Sequence, residues 1–338
     1  IYACISLLIQ YSTALKQRFG FCYRSPVPVV VVGNFTVGGT GKTPLVVYLY
    51  EQLQQQGFTP GIISRGYGRK STGTLVVTGA LSSQTAGDEA LLMFQLTRGP
   101  VVVGHNKNKA IQSLLAAFPA VNVILSDDGL QNAGLQADIR VLVVDAERGL
   151  GNGWCVPAGP LRAPQRLGRF SQVDMVVLNE TAISYQNASL AFGMPAIHSY
   201  PMRFEAMGFI KITPGIPYQT DAPVISVSDF IKDHRGKDIH AVAGIGNPAR
   251  FFKSLKDMGL SITPHMYPDH HDFTAEDLTF KTLASIIMTE KDAVKCAPWL
   301  SDRDCWALKI RVTIEGPFSG RIGQLIQAVQ PHSRSAYD

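Results

Sequence analysis

Cysteine is scarce in this chain, and the five present (Cys4, Cys22, Cys155, Cys296 and Cys305) have no CxxC spacing. An odd, scattered set argues against a disulfide framework and a zinc site, and points to a reducing compartment. Long apolar runs are missing too. Residues 1–15 are mostly apolar, but Ser6, Gln10, Ser12 and Thr13 break them up, well short of the roughly 20 residues that a spanning helix needs. There is no internal repeat or low-complexity tract. Charge of either sign is nearly balanced, with 31 Lys and Arg against 26 Asp and Glu for a net +5. So mild a surplus suits an anionic partner such as a phosphate-bearing substrate or acidic lipid, and it gives no support to nucleic-acid binding.

What is present is ample core material. At 338 residues, 46% hydrophobic and 17% charged, the chain suggests two domains with real cores. Residues 1–24 pair an apolar start with Lys16, Arg18 and Arg24 interleaved among Phe19, Phe21 and Tyr23. This pattern suits a helix lying in a membrane interface with its cations at the headgroups. A helix packed on its own domain has the same amphipathic pattern.

From residue 25 to 200, short Val- and Ile-rich runs recur at 27–32, 61–64, 101–103, 121–126, 141–145 and 173–178, separated by helical or loop-like stretches. These are the marks of buried parallel strands. Residues 201–237 differ, with alternating apolar positions and Pro201, Pro214, Pro217 and Pro223. They read as a linker with one or two short antiparallel strands. A second α/β unit is expected over 238–330, with strands at 239–243, 261–266, 286–289 and 306–312, a helix capped by Thr274 and a last helix over 321–329. A tail follows at 331–338. The expected fold is therefore α/β, two Rossmann-like lobes with a cleft between them, joined by a short β-containing linker.

The first strand runs into Thr36-Val37-Gly38-Gly39-Thr40-Gly41-Lys42-Thr43, and a helix is expected over 44–56. A strand, a glycine-rich turn and a helix in that order form a phosphate-binding loop, making the first lobe a P-loop NTPase domain. The glycines let backbone N–H groups face phosphate oxygens, and the helix N-terminus adds positive potential. Lys42 would reach the outer phosphates and the Thr43 hydroxyl would bind Mg²⁺, so ATP and Mg²⁺ are the expected cofactors. The loop is a variant, because the strict pattern has glycine where Thr36 stands.

The apolar run at 121–126 ends in Asp127-Asp128-Gly129, where P-loop enzymes present a carboxylate to the metal. One aspartate is expected at the metal while the other orients Lys42, a nearby donor or a water; an acidic turn or helix cap is the plain alternative. Asp88 and Glu89 open an apolar helix, either as ordinary helix-start residues or with Asp88 accepting a proton from an acceptor hydroxyl. His265, Asp269, His270, His271 and Asp272 cluster before Phe273. One short loop rarely wraps a cation with adjacent histidines, so a proton-handling pair of histidine and carboxylate fits better, with a polar surface loop as the alternative.

The motifs together resemble those of the tetraacyldisaccharide 4′-kinase family, the lipid A 4′-kinases. Besides the loop, the resemblance rests on SRGYGR at 64–69, GDE at 87–89, DDGLQ at 127–131, RGLGNG at 148–153 and PAGPLR at 157–162. It continues through AGIGNP at 243–248, PDHH at 268–271 and TEKDAVK at 289–295, almost the whole chain. What the resemblance implies is transfer of the γ-phosphoryl of ATP to the 4′-hydroxyl of a lipid-linked glucosamine disaccharide. It also implies peripheral attachment to the cytoplasmic face of the inner membrane. Asp88 and His270 match the family's catalytic pair, and Lys42 completes the expected catalytic set. His270 is expected to support Asp88 only when the cleft closes.

Arg65, Gly66 and Tyr67, with Arg148 and Arg162, are the candidate substrate residues: guanidinium forks for phosphate and a ring for a sugar face. Each arginine alone also reads as a surface ion pair. Three positions depart from the family pattern: Ala163 for an acidic residue, Asn132 for histidine and Lys107 for arginine. The first puts more weight on Asp127, Asp128 and Glu89 at the metal. A regulatory nucleotide switch is the rival class, but Val37 stands where a deviant loop carries lysine, and Asn106-Lys107-Asn108-Lys109 is not a guanine-reading NKxD. A catalytically silent nucleotide-binding scaffold is the other, which the intact Lys42, Thr43, Asp88 and Asp127 oppose. A monomer is expected.

Overall fold

Branched side chains stiffen an extended backbone, and runs of them covered on both faces form central parallel strands. The computed structural model describes residues 23–130, 132, 134–162, 173–179, 198–300 and 303–329. Its first half contains β1 (Val29–Gly33), β2 (Pro60–Ser64), β3 (Leu75–Val76), β4 (Val101–Val103), β5 (Val123–Asp127), β6 (Ile139–Asp145) and β7 (Met175–Asn179). The helices among them are α1 (Lys42–Gln55), α2 (Ser83–Ala86), α3 (Asp88–Thr97) and α4 (Lys107–Ala117). The remainder contains β8 (Ser199–Lys211), β9 (Val224–Ile225), α5 (Val227–His234), β10 (Ile239–Ala243), α6 (Pro248–Asp257) and β11 (Ile262–Met266). It ends with β12 (Ser285–Thr289), α7 (Glu290–Cys296), β13 (Cys305–Ile314) and α8 (Phe318–Val329).

Both α/β halves share one sheet, in the order β11-β10-β12-β13-β8-β7-β6-β1-β5-β2-β4-β3, with β9 on β8. The segment read as a linker with short strands instead carries most of β8, at 13 residues the longest strand among the described residues. It lies parallel to β7 on one side and antiparallel to β13 on the other. Pro201 had suggested a break, but its lack of an N–H does no harm near the strand's start. Its carbonyl still accepts the N–H of Glu315.

Strand direction thus reverses between β8 and β13. Sheet twist of about 20–25° per strand pair accumulates over the six steps from β1 to β10 to roughly 130°. That rotation lets the turn after β10 face the loop after β1, and Gly246 packs directly on Gly39.

One further sequence expectation needs correction. The helix expected after Thr274 is a single 3₁₀ turn, Glu276–Leu278. Thr274 donates both its N–H and its hydroxyl to the Asp277 carboxylate, which also bonds His271, so the polar groups are satisfied locally and Leu278 drops into the core. The last helix, α8, packs back on the first half, with Phe318 against Tyr200 and Tyr48. The main apolar core accordingly joins Val30, Leu45 and Leu125 to Ile286, Met288 and Phe318. Most of the expected interfacial helix (1–22), Ala163 and the tail 331–338 lie outside the described residues.

Candidate active site

The phosphate-binding loop leaves β1 and enters α1 at Lys42. Gly38 and Gly41 have φ of 97° and 90°, a left-handed backbone that glycine adopts without strain. Thr36, where the strict pattern has glycine, instead bridges Leu161 as an extended residue. Val37 donates its N–H to the Pro160 carbonyl and Arg162 donates its own to Phe35, so the 154–162 segment braces the front of the loop. From behind, buried Asn179 donates to the Thr40 carbonyl at 2.8 Å. Lys42 Nζ rests on Asn34 Oδ1 at 3.2 Å.

Asp127 ends β5 directly beside β1, paired with Val32. It is buried; Oδ2 accepts from the Ser64 hydroxyl at 3.3 Å, while Oδ1 is buried with no protein partner. Burial, with help from the Glu89 and Asp128 carboxylates, pushes its carboxyl up to about 7 against the pull of Lys107 and Lys42. A buried carboxylate oxygen with no protein partner is what a divalent cation would satisfy. Among the described residues no three His, Cys, Asp or Glu side chains form a ready cage. Mg²⁺ needs only one or two carboxylates beside water and phosphate oxygens, and hard oxygens from Thr43, Asp127, Asp128 and Glu89 fit it.

Asp128 is turned away by a left-handed φ of 48° and pairs with Arg162 at 2.8 Å. Burial works against its charge, but Lys42 and Arg162 outweigh that and hold its pKa below the usual range. Arg162, expected at substrate phosphate, is held here by Asp128. Arg148, expected there too, donates to Asp145 and to the Gly39 carbonyl at 2.9 Å. Lys107, at the family's arginine position, is buried; it donates to the carbonyls of Asp127 and Ile63 and ties β5 to β2. Burial brings its pKa down to about 8. Asn132 caps its own turn, accepting from the Gly134 N–H.

Asp88 is the first residue of α3, buried, with Oδ1 accepting the Glu89 N–H at 2.9 Å. Gly87 before it has φ 91°, and a side chain there would press on Gly66 and Tyr67 backbone at 3.1 Å. This close approach sets the SRGYGR segment against the helix start. His270, also left-handed at φ 61°, brings Nδ1 to within 3.0 Å of Asp88 Oδ2. The contact expected only on closure is already made here. Tyr67 lies 4.6 Å from the His270 ring, centroid to centroid, and is 63% exposed at the cavity wall. Arg65 is exposed on the same cavity wall.

Two cations that the sequence reading did not assign complete this corner. Lys291 Nζ lies 3.0 Å from Glu89, 3.2 Å from Asp269 and 3.8 Å from Asp88, and Lys295 lies 3.9 Å from Asp88. Their i,i+4 spacing in TEKDAVK puts both on one face of α7, which was the available signal. Burial alone would raise the Asp88 carboxyl, but the His270 hydrogen bond and Lys291, with His270's charge and Lys295, hold it at about 2. Burial likewise opposes the charge on His270, yet the hydrogen bond to Asp88 prevails and raises its pKa.

One continuous cavity of 1680 Å³ touches the loop, Arg65, Tyr67, Asp127, His270 and Lys291. It offers a cradle for a polyphosphate, acidic oxygens for a cation, and an ionised carboxylate backed by histidine. That is equipment for moving a phosphoryl group to a hydroxyl.

Comparison with known proteins agrees. The family model for LpxK, tetraacyldisaccharide-1-P 4′-kinase, matches residues 1–327. The tetraacyldisaccharide 4′-kinase of Aromatoleum aromaticum is 44% identical over 88% of this chain and 83% of its own length. The enzyme of that name from Azoarcus is 41% identical over 97% and 92%. A crystal structure of LpxK from Aquifex aeolicus in complex with ATP aligns with a TM-score of 0.73 at 27% identity, covering 97% of this chain and 96% of that one.

Proposed function

The chain belongs to the tetraacyldisaccharide-1-P 4′-kinase family, and from that premise we propose how its own residues carry the reaction. It transfers the γ-phosphoryl of ATP to the 4′-hydroxyl of tetraacyldisaccharide 1-phosphate, a step of lipid A biosynthesis. The backbone amides of residues 36–43 and the Lys42 ammonium hold the phosphates. Bound Mg²⁺, carried by Thr43, Asp127 and the neighbouring carboxylates Asp128 and Glu89, would neutralise charge on the phosphate oxygens.

Asp88 accepts the proton of the 4′-hydroxyl as its oxygen attacks. His270 fixes the carboxylate's direction, and Lys291 and Lys295 hold it ionised. The observation that carries this reading is the Asp88–His270 contact at 3.0 Å within the same cavity as the phosphate loop. Lipid phosphorylation draws its rate from positioning and charge neutralisation, so this equipment suffices. Tyr67 would lie against a sugar ring, with Arg65 toward the existing phosphate.

The direct test incubates the purified protein with ATP, Mg²⁺ and tetraacyldisaccharide 1-phosphate and looks for the bisphosphate by mass spectrometry. Absence of product beside an active relative rejects the reading. No helix among the described residues is long and apolar enough to cross a membrane. The amphipathic sequence pattern of residues 1–24 supports peripheral attachment at the cytoplasmic face of the inner membrane, and the protein is proposed to act as a monomer. Liposome co-sedimentation with and without that segment checks it; unchanged binding would move the contact elsewhere.

A further inference from the structure

The second half reaches the phosphate loop through one arginine that the mechanism above leaves unused. Arg250 is the third residue of α6, which follows the 244–247 turn. Its Nη2 lies 3.2 Å from Asp145 Oδ2. Asp145 ends β6 and is only 2% exposed. Its other oxygen accepts the N–H groups of Glu147 and Arg148. The same Oδ2 also takes Arg148 Nε at 3.2 Å, and Arg148 passes on to the Gly39 carbonyl.

One buried carboxylate thus holds two guanidiniums side by side next to the phosphate loop. Arg148 is spent on the loop's own backbone. Arg250 is not: among the described residues its one acidic partner besides Asp145 is the exposed Glu147 at 3.8 Å. A guanidinium carries five N–H donors in a fixed fork, so Arg250 keeps donors in hand while staying anchored.

Its placement is enforced by backbone. Gly246 meets Gly39 so closely that a Cβ on Gly246 would fall 2.1 Å from the Gly39 nitrogen. Asp292, buried in α7, accepts the Gly244 N–H at 3.1 Å and fixes the turn from below. Arg250 and Gly38 to Thr43 line the same cavity.

We propose that Arg250 is an arginine finger supplied in cis by the second half, contacting the γ-phosphoryl oxygens during transfer. Asp145 is the positioning residue that aims it. The inference rests on the kinase reading above and adds a catalytic group to it. As the acceptor oxygen bonds to the γ-phosphorus and the bridge to the β-phosphate breaks, charge grows on the transferring and leaving oxygens. A pre-aimed guanidinium meets that charge without reorganising. It also makes turnover depend on contact between the halves.

The test compares wild type with Arg250→Ala and Arg250→Lys. Lipid-kinase turnover of Arg250→Ala is expected to fall by roughly 10²–10³-fold, with ADP affinity within about threefold of wild type. Arg250→Lys keeps a charge for Asp145, so its urea midpoint stays at the wild-type value while it recovers less than about a tenth of the turnover. Binding of ADP with aluminium fluoride is lost in both variants although ADP alone still binds. That arm needs no lipid turnover, so it can fail separately from the assignment of substrate. Turnover of Arg250→Ala within about threefold of wild type would overturn the proposal. So would a loss of ADP affinity equal to the loss of turnover, or full recovery by lysine.

Discussion

At the scale of single residues, the Asp88–His270 pair is the part most open to attack. Removing a proton acceptor costs about 10²–10⁴ in rate where it acts in the transition state alone. Asp88→Ala is therefore expected to lose turnover by that order while ATP binding, read by calorimetry, stays intact; near-normal turnover would remove Asp88 from the chemistry. The pair also leaves a mark on stability. His270 is raised above the ordinary 6.5, so its contribution is complete below that value and fades as pH rises through the folded value. Asp88 is held at about 2 against 3.8, so its part is present above 3.8 and lost as pH falls toward 2. Urea midpoints of wild type and His270→Ala should differ most near about pH 5.5 and converge in mild alkali. A gap that stayed constant would mean that His270 is not charged beside Asp88. The glycine loop and its lysine were legible because their spacing is local. Asp88 and His270 stand 182 positions apart, and only the family pattern linked them. Arg250 and Asn179 carried no local signal at all, since their roles depend on what folding brings opposite them.

At the scale of elements, the buried strands could be read to within one or two residues wherever both faces are covered, as in β1, β4 and β10. The exception was β8, whose alternating pattern and Pro201 mimic short edge strands. What makes it long is a partner almost a hundred positions downstream. A register shift between Lys309 and Ile310 leaves Met207 as the extra residue opposite β13, next to Gly208 at φ 140°. A Cβ on Gly208 would fall 2.1 Å from the Ile225 carbonyl oxygen on β9. Gly208→Ala is expected to cost about 1–3 kcal/mol, measured by urea unfolding; a neutral result would show that β9 moves aside freely. Gly246→Ala pushes the 244–247 turn off Gly39 in the same way. Its expected signature is different: a turnover loss of tenfold or more with little change in midpoint, because the contact serves the site and not the core.

At the scale of the molecule, the two halves are stitched together by the β8–β13 pairing and by α8, in addition to the side-chain contacts of the site. The main core cluster includes side chains from both halves, so neither can lose its packing alone. With Trp154 and Trp299 replaced by Phe, the buried Trp306 fluorescence should report the same urea midpoint as far-ultraviolet ellipticity. Two separated transitions would mean that the halves melt independently.

The antiparallel seam also sets an order of events during synthesis. Strand β8 leaves the ribosome long before β13, with residues 212–304 still to come. At 5–20 residues per second that is a wait of roughly 5–20 s. For that interval the nascent polypeptide holds the edge from Met202 to Lys211 with an unsatisfied ladder, because β9 pairs along the opposite edge of β8. Chaperone capture of arrested chains ending near residue 280, but not of full-length ones, is the cellular trace such an order would leave.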